Sequence, residues 1–392
     1  MTTPHPALVA LALWASLAVV AAGQTPPSEE PKAPAEVPGT APQQPWQGYA
    51  SALGIADSNV SFESPNSPGD YGFSLETRLS RLFRSRRGQF NLDLQGDALV
   101  YRELSEFNHL DAALRFAGNH QSSLKLVWSY GGNVGYQTTD TLPILIDQGL
   151  QLVRAHALSL GANAGIDYRI SRNTSLRIGG QFERISFDTL TLVDTSSADG
   201  SLALARRLGP RDELSLSYGY RYAGGENVSD SIHELTLRWN RPLTRRFGFD
   251  VGGGEGYAPA SVAHPQGRWF IVGAAGAQGR VRRALLSVRI SREAVPAYGL
   301  GDIQLSDILS LVLSVPVGRR LTIVGSATGA RSRDLHGSYL RETSAYANLS
   351  AAFRLARRTS LALGYRYRYN DPIVAAPVDS HRASFGVAYG VP

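Results

Sequence analysis

The chain has 392 residues, of which 18% are charged, and it contains 40 glycines, one methionine and no cysteine. The absence of cysteine excludes a disulfide framework, a cysteine-based metal site and a cysteine nucleophile. The net charge of +6 comes almost entirely from arginine, since Lys32 and Lys125 are the only lysines. If the chain is exported, this basic character favours lipid headgroups or an acidic polymer over nucleic acid as a partner.

The N-terminus carries the only long apolar run of the chain, Ala7–Ala22. This run is short for a membrane helix and precedes small residues that suit a signal peptidase, so residues 1–23 are predicted to be a cleaved signal peptide. Residues 24–45 are rich in proline, alanine and glutamate and cannot bury enough apolar surface to fold, which predicts a disordered linker. Residues 46–392 are the predicted folded domain.

Apolar and polar residues alternate repeatedly through residues 46–392. In "QFNLDLQGD", Phe90, Leu92 and Leu94 share one face, and "DELSLSYGYRY" and "TSLALGYRYRY" place leucines and tyrosines on one face in the same way. A period of two residues predicts β-strands whose two faces meet different surroundings. After the signal peptide, no segment has a convincing helical period.

Short, arginine-rich turns such as "RSRRGQ" and "VGRRL" alternate with longer loops such as "REAVPAYGLGD". The repeat spans about 37 residues and is widened once by an insertion at residues 131–153. Regular alternation of short turns and long loops is typical of outer-membrane barrels. The predicted fold is therefore all-β: a transmembrane, antiparallel, up-and-down β-barrel of about 18 strands, within a range of about 16–18.

One face of each strand is predicted to meet lipid and the other a hydrated lumen. The lipid-facing tyrosines are predicted to form an aromatic girdle at the outer interface, made of Tyr218, Tyr220, Tyr222, Tyr365, Tyr367 and Tyr369. The candidate transport residues on the lumen face are Arg78, Arg115, Lys125, Arg169, Arg177, Arg221, Arg238, Arg289, Arg354, Arg366, Arg368 and Arg382. Two interpretations remain open: a cationic lumen that attracts anions, or ladders of paired acids and bases that only satisfy a polar lumen.

The short turns carry a second group of arginines, which are predicted to ring the periplasmic rim. They are Arg86, Arg87, Arg206, Arg207, Arg245, Arg246, Arg282, Arg283, Arg319, Arg320, Arg357 and Arg358. Such a ring would contact anionic headgroups or dock an acidic periplasmic partner, while solubility of the turns is the alternative explanation.

No pattern in the sequence predicts catalysis, a cofactor or a metal site. The eight histidines are scattered, and none has the HExxH spacing of a zinc protease. His156 is the best candidate for a serine–histidine pair, although an interface histidine is the simpler interpretation. The glycine-rich segments "GGNVGY" and "GGGEGY" do not lead from a strand into a helix, so they favour barrel curvature over phosphate binding.

The repeated "TSLALGYRYRY" hairpin and the closing "DSHRASFGVAYG" resemble the type 2 outer-membrane β-barrel porins, many of which are associated with exopolysaccharide or capsule biosynthesis. The resemblance lies in the repeated strand–turn–strand pattern, which extends through most of residues 46–392. It implies a barrel that completes export of a polymer made by an inner-membrane polymerase and handed over by a periplasmic export protein. It implies no catalytic residues. Pro392 departs from the aromatic residue that usually ends such chains.

The sequence thus predicts a non-enzymatic channel in the outer membrane of a Gram-negative cell. The leading expectation is a conduit for an acidic exopolysaccharide, with outer-membrane lipid and a periplasmic export protein as partners. The alternative is a general or anion-preferring diffusion porin, and an outer-membrane enzyme or structural surface protein is a more distant one.

Overall fold

A computed structural model describes residues 46–148, 154–225, 229–260, 266–336, 340–372 and 376–391. The predicted signal peptide and linker lie outside the described residues. The alternating segments of the sequence form strands throughout, because each one presents an apolar and a polar face.

The strands of the structure, in chain order, are β1 Gln47–Asp57, β2 Asp70–Ser85, β3 Gly88–Tyr101, β4 His109–Gln121, β5 Leu126–Thr138, β6 His156–Arg169, β7 Thr174–Phe187, β8 Thr195–Arg207, β9 Glu213–Gly224, β10 Ser229–Pro242, β11 Phe247–Ala258, β12 Arg268–Val281, β13 Ala284–Ala297, β14 Asp302–Val317, β15 Leu321–Asp334, β16 Leu340–Arg354, β17 Thr359–Pro372 and β18 Val378–Val391. Two short helices complete the described elements, a 3-10 turn at Ser105–Phe107 and α1 at Pro143–Gln148.

Every strand pairs antiparallel with its neighbours in the chain, and β1 also pairs with β18. The register at this closing seam runs from Gly48 opposite Val391 to Asp57 opposite Arg382. The sheet therefore closes on itself and leaves no free edge. The prediction of an antiparallel, up-and-down barrel of about 18 strands is confirmed.

The two ends of the barrel differ as the sequence predicted. Tight connections such as Arg86–Arg87 join β2 to β3 and define the short-turn end, whereas loops such as residues 139–155 define the long-loop end. The expectation that no helix follows the signal peptide is wrong for α1, whose six residues are too few to show a helical period. No described helix is long and apolar enough to cross a membrane.

The outer face of the wall is apolar. Leu158, Leu216, Leu235 and Leu363 are each about half exposed on this face. Pairing between neighbouring strands satisfies the backbone hydrogen-bonding groups over most of the wall, which is what a bilayer requires of a structure that spans it. The outer face is therefore suited to contact with hydrocarbon.

The interior is filled at the long-loop end. One apolar cluster is formed by residues of β9 to β14 and by Leu335, which follows β15. It includes Ile232, Phe270 and Ile303. A second includes Leu142 and, within α1, Leu145. A third contains residues of β1 and β3 together with Val60 of the loop that follows β1. These clusters narrow the barrel at one end, which the sequence did not predict.

Candidate functional site

Residues 139–155, called the inserted loop here, connect β5 to β6, and the described part of this loop, residues 139–148 and 154–155, enters the interior of the barrel. Asp140 lies 3.7 Å from Arg366 of β17 and 3.3 Å from Arg382 of β18, measured between carboxylate and guanidinium atoms. In the order of the sheet, β4, β3, β2 and β1 separate β5 from β18. Side chains from such distant strands meet only within the lumen, so the inserted loop lies inside the barrel.

Four arginines surround Asp140, and we call them the arginine cluster: Arg154, Arg366, Arg368 and Arg382. The side chain of Asp140 is completely buried, and that of Arg368 is 5% exposed. Burial alone would raise the pKa of Asp140, but the four guanidinium groups hold it well below its ordinary value. Asp140 therefore stays ionised and ties the inserted loop to the wall at β17 and β18.

Tyr101 and Asp57 connect the arginine cluster to β1 and β3. Arg382 pairs with Asp57 at 2.7 Å and donates a hydrogen bond to the Tyr101 hydroxyl at 3.1 Å. Arg154 donates to the same hydroxyl at 2.9 Å, and the hydroxyl donates to Asp57 at 3.0 Å. The buried charges are therefore joined in one network, which reduces the cost of removing them from water.

Phe62 covers the cluster from the long-loop side. The guanidinium carbon of Arg368 lies 3.9 Å from the centre of the Phe62 ring. Phe62 has a positive φ of 58°, a conformation that bulky residues rarely adopt. The loop between β1 and β2 accepts this unfavourable backbone angle and thereby places the ring on the arginine.

The base of the inserted loop is held by Asp111 of β4. This carboxylate accepts hydrogen bonds from the hydroxyls of Thr138, at 3.1 Å, and Thr141, at 2.6 Å. Beyond Thr141, Leu142 and Leu145 are buried, and pack against residues of β6 and β7. The loop is thus held by the hydrogen bonds to Asp111, by the apolar packing of Leu142 and Leu145, and by the ion pairs of Asp140 with β17 and β18.

A second connection enters the lumen from the top of the β13–β14 hairpin. Tyr298, at its tip, is hydrogen-bonded to Ser197 of β8 at 2.9 Å, and Gly299 forms a bridge with Val193. Burial raises the pKa of the Tyr298 hydroxyl, which keeps it neutral. The inserted loop and this hairpin together fill much of the long-loop end.

Two cavities remain inside the barrel beside the inserted loop. The larger, of about 630 Å³, is lined in part by Arg115, Glu183, Asp199 and Arg221. The smaller, of about 430 Å³, has walls of opposite charge. Both contain charged side chains and suit water and polar solutes.

Three carboxylates form one wall of the smaller cavity. Glu76 of β2 lies opposite Asp97 of β3, which lies opposite Asp111 of β4, so the three form a row across the sheet. Arg366 and Arg382 lie in the wall of the same cavity. A solute there would meet a carboxylate row on one side and guanidinium groups on the other.

The predicted lumen residues divide into two groups in the structure. Eight form ion pairs; in three of these, Arg78 lies 2.7 Å from Asp93, Arg177 lies 3.2 Å from Asp167, and Arg221 contacts Asp199. The other five of these eight are Arg238, Arg289, Arg366, Arg368 and Arg382. The remaining four form no ion pair with any described residue: Arg115, Lys125, Arg169 and Arg354.

The predicted girdle tyrosines lie on the outer face, where Tyr218 and Tyr365 are each 44% exposed. Their hydroxyls are hydrogen-bonded to His233, at 2.7 Å, and His381, at 2.6 Å. The predicted rim arginines lie in or beside the short turns, at the opposite end from the inserted loop.

His156 has no serine partner among the described residues. Its ring stacks on Tyr136 with 5.2 Å between ring centres. Within the same part of the chain, no group of three or more His, Asp or Glu side chains is placed to hold a metal ion.

Sequence reasoning did not identify Asp97, Asp111, Asp140 or Arg154 as site residues. Asp97 and Asp111 could have been found, because each lies on the polar face of an alternating strand. Asp140 and Arg154 belong to the inserted loop, which has no periodic pattern from which a position can be deduced.

No family model and no curated protein matches this sequence. Among solved structures, the chain is similar to OccK3 (OpdO) of Pseudomonas aeruginosa, with 12% identity, 88% of this chain and 96% of that chain covered, and a TM-score of 0.47. OpdL of the same organism shows 14% identity, coverage of 88% and 99%, and a TM-score of 0.44. A bacterial polysaccharide outer membrane secretin shows 12% identity, coverage of 87% and 97%, and a TM-score of 0.36. These values are too low to indicate a shared function.

Proposed function

We propose that the protein is an outer-membrane channel for passive diffusion of small polar solutes, with its short turns in the periplasm. A closed barrel, an apolar outer face and a charged interior support this proposal. Barrels of 16–18 strands are wide enough for an aqueous channel, and their short turns face the periplasm. A cleaved signal peptide at residues 1–23 would deliver the chain to that membrane.

The observation that carries the proposal is the ion pairing of Asp140 with the arginine cluster inside the lumen. An interior loop held across a barrel reduces the free cross-section. The channel is therefore restricted to solutes much smaller than the barrel itself, and sorting takes place where the inserted loop meets β17 and β18.

We further infer that this channel selects solutes by the position of charge more than by net charge. Arginines outnumber acids in the chain as a whole, and a cationic lumen that attracts anions was one of the two interpretations left open by the sequence. In the smaller cavity, the carboxylates of Glu76, Asp97 and Asp111 offset the excess of positive charge. They share this cavity with Arg366 and Arg382. A small solute with a positive and a negative group would satisfy both walls.

Export of an acidic exopolysaccharide remains a second candidate, favoured by one observation. The ion pairs between the inserted loop and β17–β18 all converge on one carboxylate, Asp140, so neutralising it would loosen the loop from that part of the wall and widen the path. In that case the rim arginines would dock an acidic periplasmic export protein. This candidate requires the channel to be closed at rest and opened by its partner.

The two candidates are separated by swelling of liposomes that contain the purified protein. Passive diffusion predicts rapid swelling in amino acids and small sugars, and a steep decline as the solute becomes larger. A closed export conduit predicts no swelling in any of these solutes. Control liposomes without protein set the baseline, and the absence of swelling in amino acids would reject the diffusion channel.

A further inference from the structure

The wall of the barrel is incompletely paired between β12 and β13 at the long-loop end. Pairing along this seam runs from Gly273 opposite Arg292 down to Val281 opposite Ala284. Above Gly273, residues 268–272 of β12 pair only with β11, and residues 293–297 of β13 pair only with β14. The two strands therefore separate toward the long-loop end.

The separation arises because the top of β13 bends into the lumen. Ala294 is fully buried, and its carbonyl accepts a hydrogen bond from Arg221 of β9, which is separated from β13 by three strands of the wall. Ile303, at the top of β14, packs with Phe270 and Val272 on the inner face of β12. The wall stays sealed from inside, but a depression is left on its outer face.

This depression is a groove of about 680 Å³, mostly apolar, which crosses the outer face from β11 to β16. Its sides include Ile271, Ile290 and Leu309, which are 70%, 58% and 53% exposed. Small residues, among them Ala275 and Gly329, line it as well. The groove opens on the face that would meet lipid. An acyl chain would fill it and contact its apolar walls.

Three arginines and one aspartate lie at the long-loop side of the groove. Arg292, Asp307 and Arg331 occupy one row across β13, β14 and β15. Arg292 forms two hydrogen bonds with Asp307, at 2.5 and 2.8 Å, so the single acid is already engaged. Arg333 lies 3.6 Å from the same carboxylate, and Arg331 is exposed with no ion pair to any described residue.

Positive charge on the outer face of a membrane barrel is costly unless it meets a negative group at the interface. Here the surplus charge adjoins the apolar groove, at the end where the long loops face outward. An apolar groove bordered by three guanidinium groups that share one carboxylate is complementary to one class of molecule, an amphiphile with an anionic headgroup.

We propose that this groove binds a phosphate-bearing lipid of the outer leaflet, with an acyl chain along the groove and the phosphate on Arg331 and Arg333. Arg292 is held in place by Asp307 and adds to the positive electrostatic potential at the phosphate site. The proposal depends on the membrane orientation given under the proposed function, but not on which solute passes through the lumen.

The test is calorimetric titration of the purified protein in a neutral detergent free of phosphate. Dioctanoyl phosphatidic acid is expected to bind saturably, while dioctanoyl phosphatidylcholine and inorganic phosphate bind at least about tenfold more weakly. The double variant Arg331→Gln/Arg333→Gln is expected to lose about tenfold or more in affinity for phosphatidic acid. The control Arg184→Gln, an exposed arginine of β7 opposite Leu160 and away from the groove, should bind like the unmodified protein.

A variant that fills the groove tests the acyl chain separately. In Gly329→Phe, the new Cβ meets only ordinary contact, 3.9 Å from the carbonyl oxygen of Ser344, and the arginines are unchanged. It is expected to weaken binding of phosphatidic acid without affecting the heat-dependent gel mobility of the folded barrel.

Three results would overturn the proposal. They are the absence of saturable binding of phosphatidic acid, unchanged binding in the double arginine variant, and binding of inorganic phosphate as tightly as the lipid, which would indicate a free-anion site. Because the titration is done in detergent, its failure is distinct from failure of liposome swelling, which tests the channel.

Discussion

At the scale of single residues, the acidic row of the smaller cavity determines which ions the lumen favours. Asp97 lies at the centre of the row and accepts a hydrogen bond from Ser74 at 3.2 Å. Asp97→Asn removes a negative charge, so that one carboxylate fewer faces Arg366 and Arg382 across the cavity. We expect the reversal potential in a gradient of potassium chloride to shift toward anions.

The matched control is Asp379→Asn on β18, whose side chain is 52% exposed. Asp379 lies opposite Tyr369, on the strand face that carries the girdle tyrosines and away from the cavity. This variant should leave the reversal potential unchanged. An equal shift in the two variants would mean that the acidic row does not control selectivity.

Asp140 gives a second prediction at this scale, concerning pH. Its pKa in the folded protein is lowered well below the ordinary value of about 3.9. A lowered pKa contributes stability that is fully present above the unfolded value and is lost as the pH falls through the folded value. The stability difference between the unmodified protein and Asp140→Asn should therefore be constant from pH 8 to about pH 5 and decrease only in stronger acid.

This difference is expected to be about 3–5 kcal/mol at neutral pH, because the variant removes the buried negative charge with which Arg366, Arg368 and Arg382 pair. It is measured from unfolding in guanidinium chloride at each pH, followed by tryptophan fluorescence. A difference that disappears between pH 8 and pH 6 would show that Asp140 is not ionised in the folded protein.

At the scale of elements, β11 shows how glycine allows close packing of strands. Gly254 faces the lumen, and a Cβ added there would collide with the carbonyl oxygen of Leu235 on β10. Gly254→Ala is expected to destabilise the barrel by about 1–3 kcal/mol, since the backbone must move. Gly200→Ala on β8, where a Cβ meets nothing within 4 Å, is the control and should be neutral.

The comparison is made on refolded protein, from the fraction that shows the heat-dependent gel mobility of a folded barrel after partial denaturation. Equal stability of the two variants would mean that the glycines of "GGGEGY" do not serve close packing between β10 and β11.

The strands were predictable from sequence, whereas the interior loop was not. In β17, the alternation from Leu361 to Tyr369 is enough to assign the two faces, because a membrane barrel has only lipid and lumen to distinguish. The inserted loop has no such repeat, and its position depends on charge pairing with strands distant in the sequence. The inward bend of β13 likewise depends on distant partners, such as Arg221.

At the scale of the whole molecule, regular strand pairing forms the wall of the barrel. Two irregular connections, the inserted loop and the tip of the β13–β14 hairpin, determine the width of the lumen. Closure through β1 and β18 was foreseeable from the even number of strands implied by the hairpin repeat. The narrowing of the lumen was not, because it arises from the inserted loop and the β13–β14 hairpin. The proposed function therefore rests on the part of the molecule that sequence periodicity does not describe.

The central claim is that the tie between Asp140 and the arginine cluster restricts the channel. The most direct measurement is the single-channel conductance of Asp140→Asn in a planar bilayer, compared with the unmodified protein and with Asp167→Asn. Asp167 also pairs with a lumen arginine, Arg177, but both side chains are nearly half exposed and neither belongs to the inserted loop. The account predicts a larger conductance for Asp140→Asn alone. Equal conductance in all three proteins would contradict it.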